Sequence, residues 1–320
     1  MRILDSIDDE LIGQLRRDHE FFWLDATDLP ADEIKRLGAL LDLHPLAVED
    51  SMLFGQRPKL DTYGDTALLV LQGAVSSQPE DRNIHPLEEI HCHLSGDFIV
   101  TLHRRPYPDL ARVVPLFSNA KTAKSEQYHV YKIIDVIVDS YFPMLGDLEE
   151  QINDLEDAIT SGGGRRELEE TFRLKRLLLH LRRAVVPMRD VFAREIEVIA
   201  DLAGLEADSH DYFRDVYDHL LRINDELDAD HEMVTGCTDL YLSTVANRQG
   251  ETSKQLAIIA SIFLPLSFLT GFFGMNFGWA VTHVFDGPWA FFGLGLGTMA
   301  ISAGGMWLFF RRKGWTGQDG

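Results

Sequence analysis

The chain has 320 residues and a net charge of −21, from 51 acidic and 30 basic side chains. That acidity excludes nucleic acid as a partner, because a binder needs a basic surface to neutralise phosphates. Cys92 and Cys237 are the two cysteines and form neither a CxxC nor a metal-ligand spacing, which excludes a disulfide framework and fits a reducing compartment.

The length is too great for one compact core, so two domains or a domain plus a membrane part are expected. The N-terminus, MRILDSIDDEL, lacks a basic region followed by an apolar run, so no cleavable signal peptide is expected. Residues 1–125 read as a mixed α/β domain. Strand-like runs fall at Phe21–Leu24, Ala67–Val75, Ile90–Leu94 and Phe98–Leu102, and the Gly96-Asp97 pair joins the last two as a hairpin. Helices are expected at Pro30–Leu41 and Pro45–Met52, with a further one starting in Pro106–Pro115. No glycine-rich phosphate loop, nucleophile elbow or HExxH motif occurs. His85, His91, His93 and His103 could be metal ligands or ordinary sheet residues; the spacing supplies no third ligand, which favours the latter.

From residue 126 the pattern becomes helical, giving a stalk over 126–252. Ile134, Val138, Tyr141, Leu145, Leu148, Ile152, Leu155 and Ile159 step by four and three, a heptad seam. Ser161-Gly-Gly-Gly164 ends it, and a second helix runs from Arg165 to about Ala203 with a kink expected at Pro187. The outer face of this hairpin is acidic at Asp147, Glu149, Glu150, Asp154, Glu156 and Asp157, a solvated face or a cation-binding one. A third helix starts near Ser209 with the seam Val216, Leu220, Ile223, Leu227, Asp230, Val234, Cys237, Tyr241 and Thr244. Nothing breaks it before Leu256, so it continues into the membrane, and its seam needs partners, for which copies in a ring suffice.

The last part, 253–313, is a membrane domain, with 314–320 as a tail. Leu256–Phe273 has 18 residues and Pro288–Phe310 has 23, all uncharged. A helix needs about 20 apolar residues to cross the hydrocarbon, so the second run spans, and the first is at the short limit where a buried core helix also fits. The spans are placed at about 254–273 and 288–310, with the loop 274–287 outside. Ser253, Ala257, Ala260, Leu264, Ser267 and Gly271 form a small, weakly polar stripe, opposite bulky Ile258, Ile262, Phe263, Leu266, Leu269 and Phe273. Such a stripe suits either close helix packing or a narrow pore. The basic end Arg311, Arg312 and Lys313, with Trp315 nearby, puts that terminus in the cytoplasm, and counting back two spans puts the N-terminal part there too. A cell membrane location follows.

Gly274-Met275-Asn276 after IFLPLSFLTGFF resembles the signature of the CorA family of divalent-cation channels. HPLAVED at 44–50, QRPK at 56–59, YFRDVYDH at 212–219, DLYLSTVAN at 239–247 and the terminal RRKGW match in the expected order. The resemblance implies a homopentameric funnel of α+β class: a cytoplasmic α/β domain, a coiled-coil stalk and two membrane helices per subunit, the first lining the pore. It implies that Asn276 forms an amide ring at the outer mouth, with Gly274 and Met275 shaping the filter turn. Asp239 matches an acidic ring at the inner end, Leu256 and Leu264 hydrophobic constrictions, and Ser267 a pore hydroxyl; Gly250, Ser253, Ala260 and Gly271 complete the pore line. Asp50 and Asp215 match a pair that binds regulatory Mg²⁺ between neighbouring subunits. The chain departs from the pattern at Gly250 and Ser253, where a polar residue and a methionine are usual, at Phe273 for tyrosine, and in an outer loop offering only His283 and Asp286.

The resemblance implies passive entry of hydrated Mg²⁺, gated by cytoplasmic Mg²⁺. A ring of neutral amides can hydrogen-bond the ion's waters without stripping them. Zn²⁺ transport, with or without protons, is the alternative; Met275 favours Mg²⁺, with Co²⁺ or Ni²⁺ as passengers. A membrane-anchored cation sensor that conducts nothing is the alternative of another class. No enzymatic activity is expected.

Overall fold

A computed structural model of the chain describes residues 1–75, 86–117, 125–200, 202, 211–275, 278–284 and 287–315. It divides into two compact units, Met1–Thr238 and Asp239–Gly320.

The first unit is built on a six-stranded sheet of β1 (Arg2–Leu4), β2 (Phe22–Thr27), β3 (Lys59–Tyr63), β4 (Thr66–Ala74), β5 (Leu87–Ser95) and β6 (Phe98–His103), in the order β1-β2-β6-β5-β4-β3. β1, β2 and β6 run parallel and the other neighbours antiparallel. Both faces are covered, so the central strands read as continuous apolar runs. On one face, α1 (Asp9–Arg17) and α2 (Ala31–Leu41) pack Ile12, Leu15, Leu37 and Leu41 against Phe22, Leu24, Phe98 and Val100. On β4, Leu68 and Val70 meet Ala47 of α3 (Pro45–Met52). The expected strands and both expected helices are present within a few residues. Three elements were not anticipated: α1, β1 and the edge strand β3. The Pro106–Pro115 stretch forms a 3₁₀ turn over Pro108–Arg112 and a single turn, α4 (Val114–Phe117), rather than a longer helix.

The heptad seam expected as one helix is two, α5 (Glu126–Asp139) and α6 (Tyr141–Thr160), and all eight of its residues are buried. The joint has a cause in Ser140: its Oγ accepts from the Ala74 amide at 2.8 Å and donates to Ile137 O at 2.6 Å. Tyr141 Oη donates to Gln72 O at 2.8 Å, so the joint is tied to the end of β4. After the glycines, of which Gly162 sits at φ +115°, α7 (Arg165–Ala200) runs with Pro187 inside it. The acidic side chains of the hairpin are exposed.

α8 (Asp211–Phe273) is one helix of 63 residues. Val216, Leu220, Ile223, Leu227, Asp230, Val234 and Cys237 are buried, while Tyr241 and Thr244 are half-buried. In the second unit α9 (Gly278–His283) lies in the inter-span loop, and a π-helical stretch, Ala290–Gly297, leads into α10 (Thr298–Arg312). The Thr298 hydroxyl donates to the carbonyls of Leu294 and Gly295, satisfying acceptors at the change of helical register. Two described helices are long and apolar enough to cross a membrane: α8 and the 23 residues Ala290–Arg312.

Asp230 is the one acid in the buried seam of α8. Burial, then Glu149 of α6 and Glu226 one turn back on α8, push its carboxyl up to about 6. A raised carboxyl binds its proton more tightly folded than unfolded, so its contribution is complete below about pH 4 and is lost as pH rises through 6. Asp230→Asn should therefore raise the Tm at pH 7.5, by about 2–4 °C for each kcal/mol regained, and raise it clearly less at pH 4.5; an equal effect at both pH values would contradict this origin.

Candidate functional site

Four acid and imidazole side chains of α5 and α8 converge. Asp135 and Asp139 are spaced i, i+4 on α5, and Asp215 and His219 likewise on α8, so each pair shares one helix face. His219 Nδ1 lies 2.9 Å from Asp139 Oδ1 and 3.5 Å from Asp135 Oδ1, and its Nε2 is 3.9 Å from Asp215 Oδ1. Ligand atoms of Asp135, Asp139 and His219 all lie within 4.8 Å of one another. Asp135 Oδ1, Asp139 Oδ1 and His219 Nδ1 are nevertheless buried atoms with no hydrogen bond of acceptable geometry. Buried polar atoms are nearly always hydrogen-bonded, so three that converge in ion-pair contact without a hydrogen bond are an arrangement a cation could complete. Burial, then the neighbouring Asp135, push the Asp139 carboxyl above its usual range.

The flanking groups hold the carboxylates in place. Lys132 Nζ contacts Asp135 Oδ2 at 2.7 Å and donates to Tyr131 Oη at 3.2 Å. Tyr131 Oη in turn donates to Asp215 Oδ2 at 2.7 Å. Burial and that carboxylate raise the Tyr131 phenol well above its ordinary value, so it stays a donor. Oxygen ligands suit Mg²⁺, and the imidazole adds affinity for Co²⁺, Ni²⁺ or Zn²⁺.

Asp215 is the one residue of this cluster that sequence reasoning singled out. Its expected partner, Asp50, is engaged elsewhere in the chain: Lys59 Nζ contacts Asp50 Oδ2 at 2.6 Å, and Gln56 Nε2 donates to Asp50 O at 3.2 Å. Burial works to raise the Asp50 carboxyl, but the bonds from Lys59 and Gln56 outweigh it and leave the group below its usual range. The described sheet histidines each bond a protein side chain. His91 bonds Glu89 at 2.7 Å, His93 bonds Ser51 at 2.8 Å, and His103 bonds Asp25 at 3.0 Å; His85 lies outside the described residues.

On α8 the predicted pore line is exposed along its length: Asp239, Gly250, Ser253, Leu256, Ala260, Leu264, Ser267 and Gly271. Leu256 is 63% exposed and Leu264 69%. Of the bulky side, Ile258, Ile262, Leu266, Leu269 and Phe273 are half-buried, and Phe263 departs from the pattern by being exposed. At the end of the helix the Gly274 amide donates to Thr270 O at 2.9 Å and the Met275 amide to Phe272 O at 3.2 Å. A Cβ at Gly274 would sit 3.1 Å from Thr270 O, so glycine suits the tight exit. Asn276 and Asp286 lie outside the described residues. His283 stacks on Trp279 with centroids 5.3 Å apart. Arg311 and Arg312 close α10, and Lys313 follows.

A profile of the CorA-like Mg²⁺ transporter proteins matches residues 18–312. The chain belongs to the CorA-like Mg²⁺ transporter family. The cobalt/magnesium transport protein CorA of Thermotoga maritima is 30% identical over 300 residues, covering 92% of this chain and 83% of the relative. The zinc transport protein ZntB of Photorhabdus laumondii is 27% identical over 269 residues, 82% of this chain and 75% of the relative. The solved CorA magnesium transporter of Methanocaldococcus jannaschii shares the fold at a TM-score of 0.75 and 22% identity, covering 92% of this chain and 90% of that one. As a CorA-family member the chain is a divalent metal-ion transporter with two candidate membrane helices at its C-terminal end.

If the α5–α8 cluster takes a divalent cation, that cation stabilises the fold by about 2.7 kcal/mol at a hundred times its Kd. Titrating Mg²⁺ and Co²⁺ against the Tm of the full-length protein should show this rise, and Asp139→Asn should remove most of it. An unchanged metal dependence in the variant would refute binding at this cluster.

Proposed function

We propose that this protein is a Mg²⁺ channel of the cell membrane, passing hydrated ions inward down their electrochemical gradient. The observation that carries the proposal is the exposed line of small and hydroxyl side chains on α8, ending at Gly274-Met275, after which the sequence continues with Asn276. A ring of five copies would turn that line into a pore wall and place five Asn276 amides at its outer mouth. Mg²⁺ gives up water reluctantly, and neutral amides can hold its hydration shell without binding the ion too tightly to release it. An inside-negative potential supplies about 4.6 kcal/mol per 100 mV for two charges, so no other energy source is needed. Orientation follows the basic end of α10, with both termini cytoplasmic.

The gate is cytoplasmic Mg²⁺ at Asp215, with Asp50 of a neighbouring subunit as the resemblance implies. Asp135, Asp139 and His219, which converge with Asp215, are read as members of the same set. Bound Mg²⁺ would offset the mutual repulsion of these carboxylates and favour the closed ring. Its loss would leave them facing one another and shift the population to open.

Zn²⁺ transport is the second reading, supported by ZntB relatives at an identity close to that of the CorA relatives. The exposed line on α8 holds no imidazole or thiolate, which softer metals favour, and Met275 also supports Mg²⁺. Parallel flux measurements in liposomes with Mg²⁺ and Zn²⁺ separate the two. Wild type should pass Mg²⁺ faster, and Asn276→Ala should abolish the discrimination while flux persists. Faster Zn²⁺ entry, or selectivity unchanged in the variant, would contradict the proposal.

A further inference from the structure

The basic end of α10 makes contacts outside the line of α8 assigned to the pore. Gly314, at φ +69°, reverses the chain so that the Trp315 amide donates to Phe310 O at 3.0 Å. The indole then stacks on the Phe310 ring, with centroids 5.6 Å apart, and Phe310 is buried. From that position the indole meets two ammonium groups. Lys313 Nζ lies 6.0 Å from its centroid and Lys254 Nζ, on α8, lies 5.9 Å from it. Lys313 also sits 5.2 Å over Phe309, and Arg311 sits 5.2 Å over Trp307. One indole therefore brings the polar ends of both apolar helices to the same level. Lys254 stands just before the uncharged run of α8, and Arg311 follows that of α10 directly.

Lys254 and Lys313 meet at this indole, and Arg311 and Arg312, in the last turn of α10, directly precede Lys313. Among the described residues none of them forms an ion pair, and Glu251, one turn before Lys254, bonds none of them. Cation–π contact orients the ammonium groups but leaves their charge in place. An arrangement that holds like charges together without a counter-charge is completed by an anion. Basic pockets between membrane helices at the cytoplasmic side bind anionic lipid headgroups. Exposed Trp307 and Phe309, on the span itself, offer apolar surface beside the charges, which an acyl chain can cover and an inorganic ion cannot.

We propose that Lys254 and Lys313, set around the Trp315 indole, clamp the phosphodiester of an anionic phospholipid such as phosphatidylglycerol, with Arg311 and Arg312 flanking it. The site rests on the assignment of α8 and α10 as membrane spans; co-flotation with neutral phosphatidylcholine vesicles checks that assignment separately, because it does not depend on the headgroup.

The test is native mass spectrometry of the full-length protein in neutral detergent, titrated with phosphatidylglycerol or phosphatidylcholine. Wild type should retain phosphatidylglycerol preferentially. The double variant Lys254→Gln/Lys313→Gln should bind it about tenfold or more weakly, and Lys254→Arg/Lys313→Arg should restore retention. Millimolar inorganic phosphate should not displace the lipid. Equal retention of the two lipids by wild type, undiminished retention by an assembled glutamine variant, or displacement by phosphate would each overturn the proposal. If the glutamine variant fails to assemble, the wild-type preference decides.

Discussion

α8 is one unbroken helix that must satisfy two environments. Between Val216 and Cys237 its seam is buried under the helices of the first unit. From Asp239 onward one side of it is uncovered in the single chain. A helix cannot leave a long apolar surface bare in water, and in the proposed assembly lipid and further copies of the helix would cover the second stretch. The 18 uncharged residues from Leu256 to Phe273 rise about 27 Å, close to the hydrocarbon thickness. As a membrane span that short run would be adequate, because the helix is already formed before it and needs no separate start at the surface.

The same continuity gives the carboxylate cluster its significance. Asp215 and His219 occupy the first turns of the helix whose far end is the Gly274-Met275 exit. The cluster is held under electrostatic tension: Lys132 and the Tyr131 hydroxyl support two of the carboxylates, while the oxygens that face His219 lack a hydrogen bond. A buried carboxylate oxygen without a hydrogen bond is costly, and a divalent cation bound there would offset that cost.

Much of this was legible before any coordinates. The seams of α5, α6 and α8 declare themselves because helical burial repeats every three or four residues, and β2, β4, β5 and β6 because a sheet covered on both faces makes apolar runs. β1, of three residues, is too short to show a period, and β3, KLDTY at the sheet edge, is too polar. α1 carried a usable signal, since Asp8 caps it by accepting from the Glu10 and Leu11 amides. Asp135, Asp139 and His219 escaped notice because some 80 residues separate the two halves of the cluster, and only the packing of α5 on α8 unites them. The paired i, i+4 spacing of Asp135 with Asp139 and Asp215 with His219 was the available clue. Family resemblance gave a role to Asp215 alone, although the matched stretch 212–219 also holds His219, and Ser140 was invisible as a break because its role depends on the end of β4.

Passive passage of Mg²⁺ is the centre of the account. Mg²⁺ entry into liposomes carrying the reconstituted protein, driven by an imposed inside-negative potential with no nucleotide and no pH gradient, tests it most directly. The account predicts influx that grows with the potential and is indifferent to a proton ionophore when the potential is clamped. Silent vesicles holding correctly inserted assemblies, or influx that appears only with an imposed pH gradient, would contradict it.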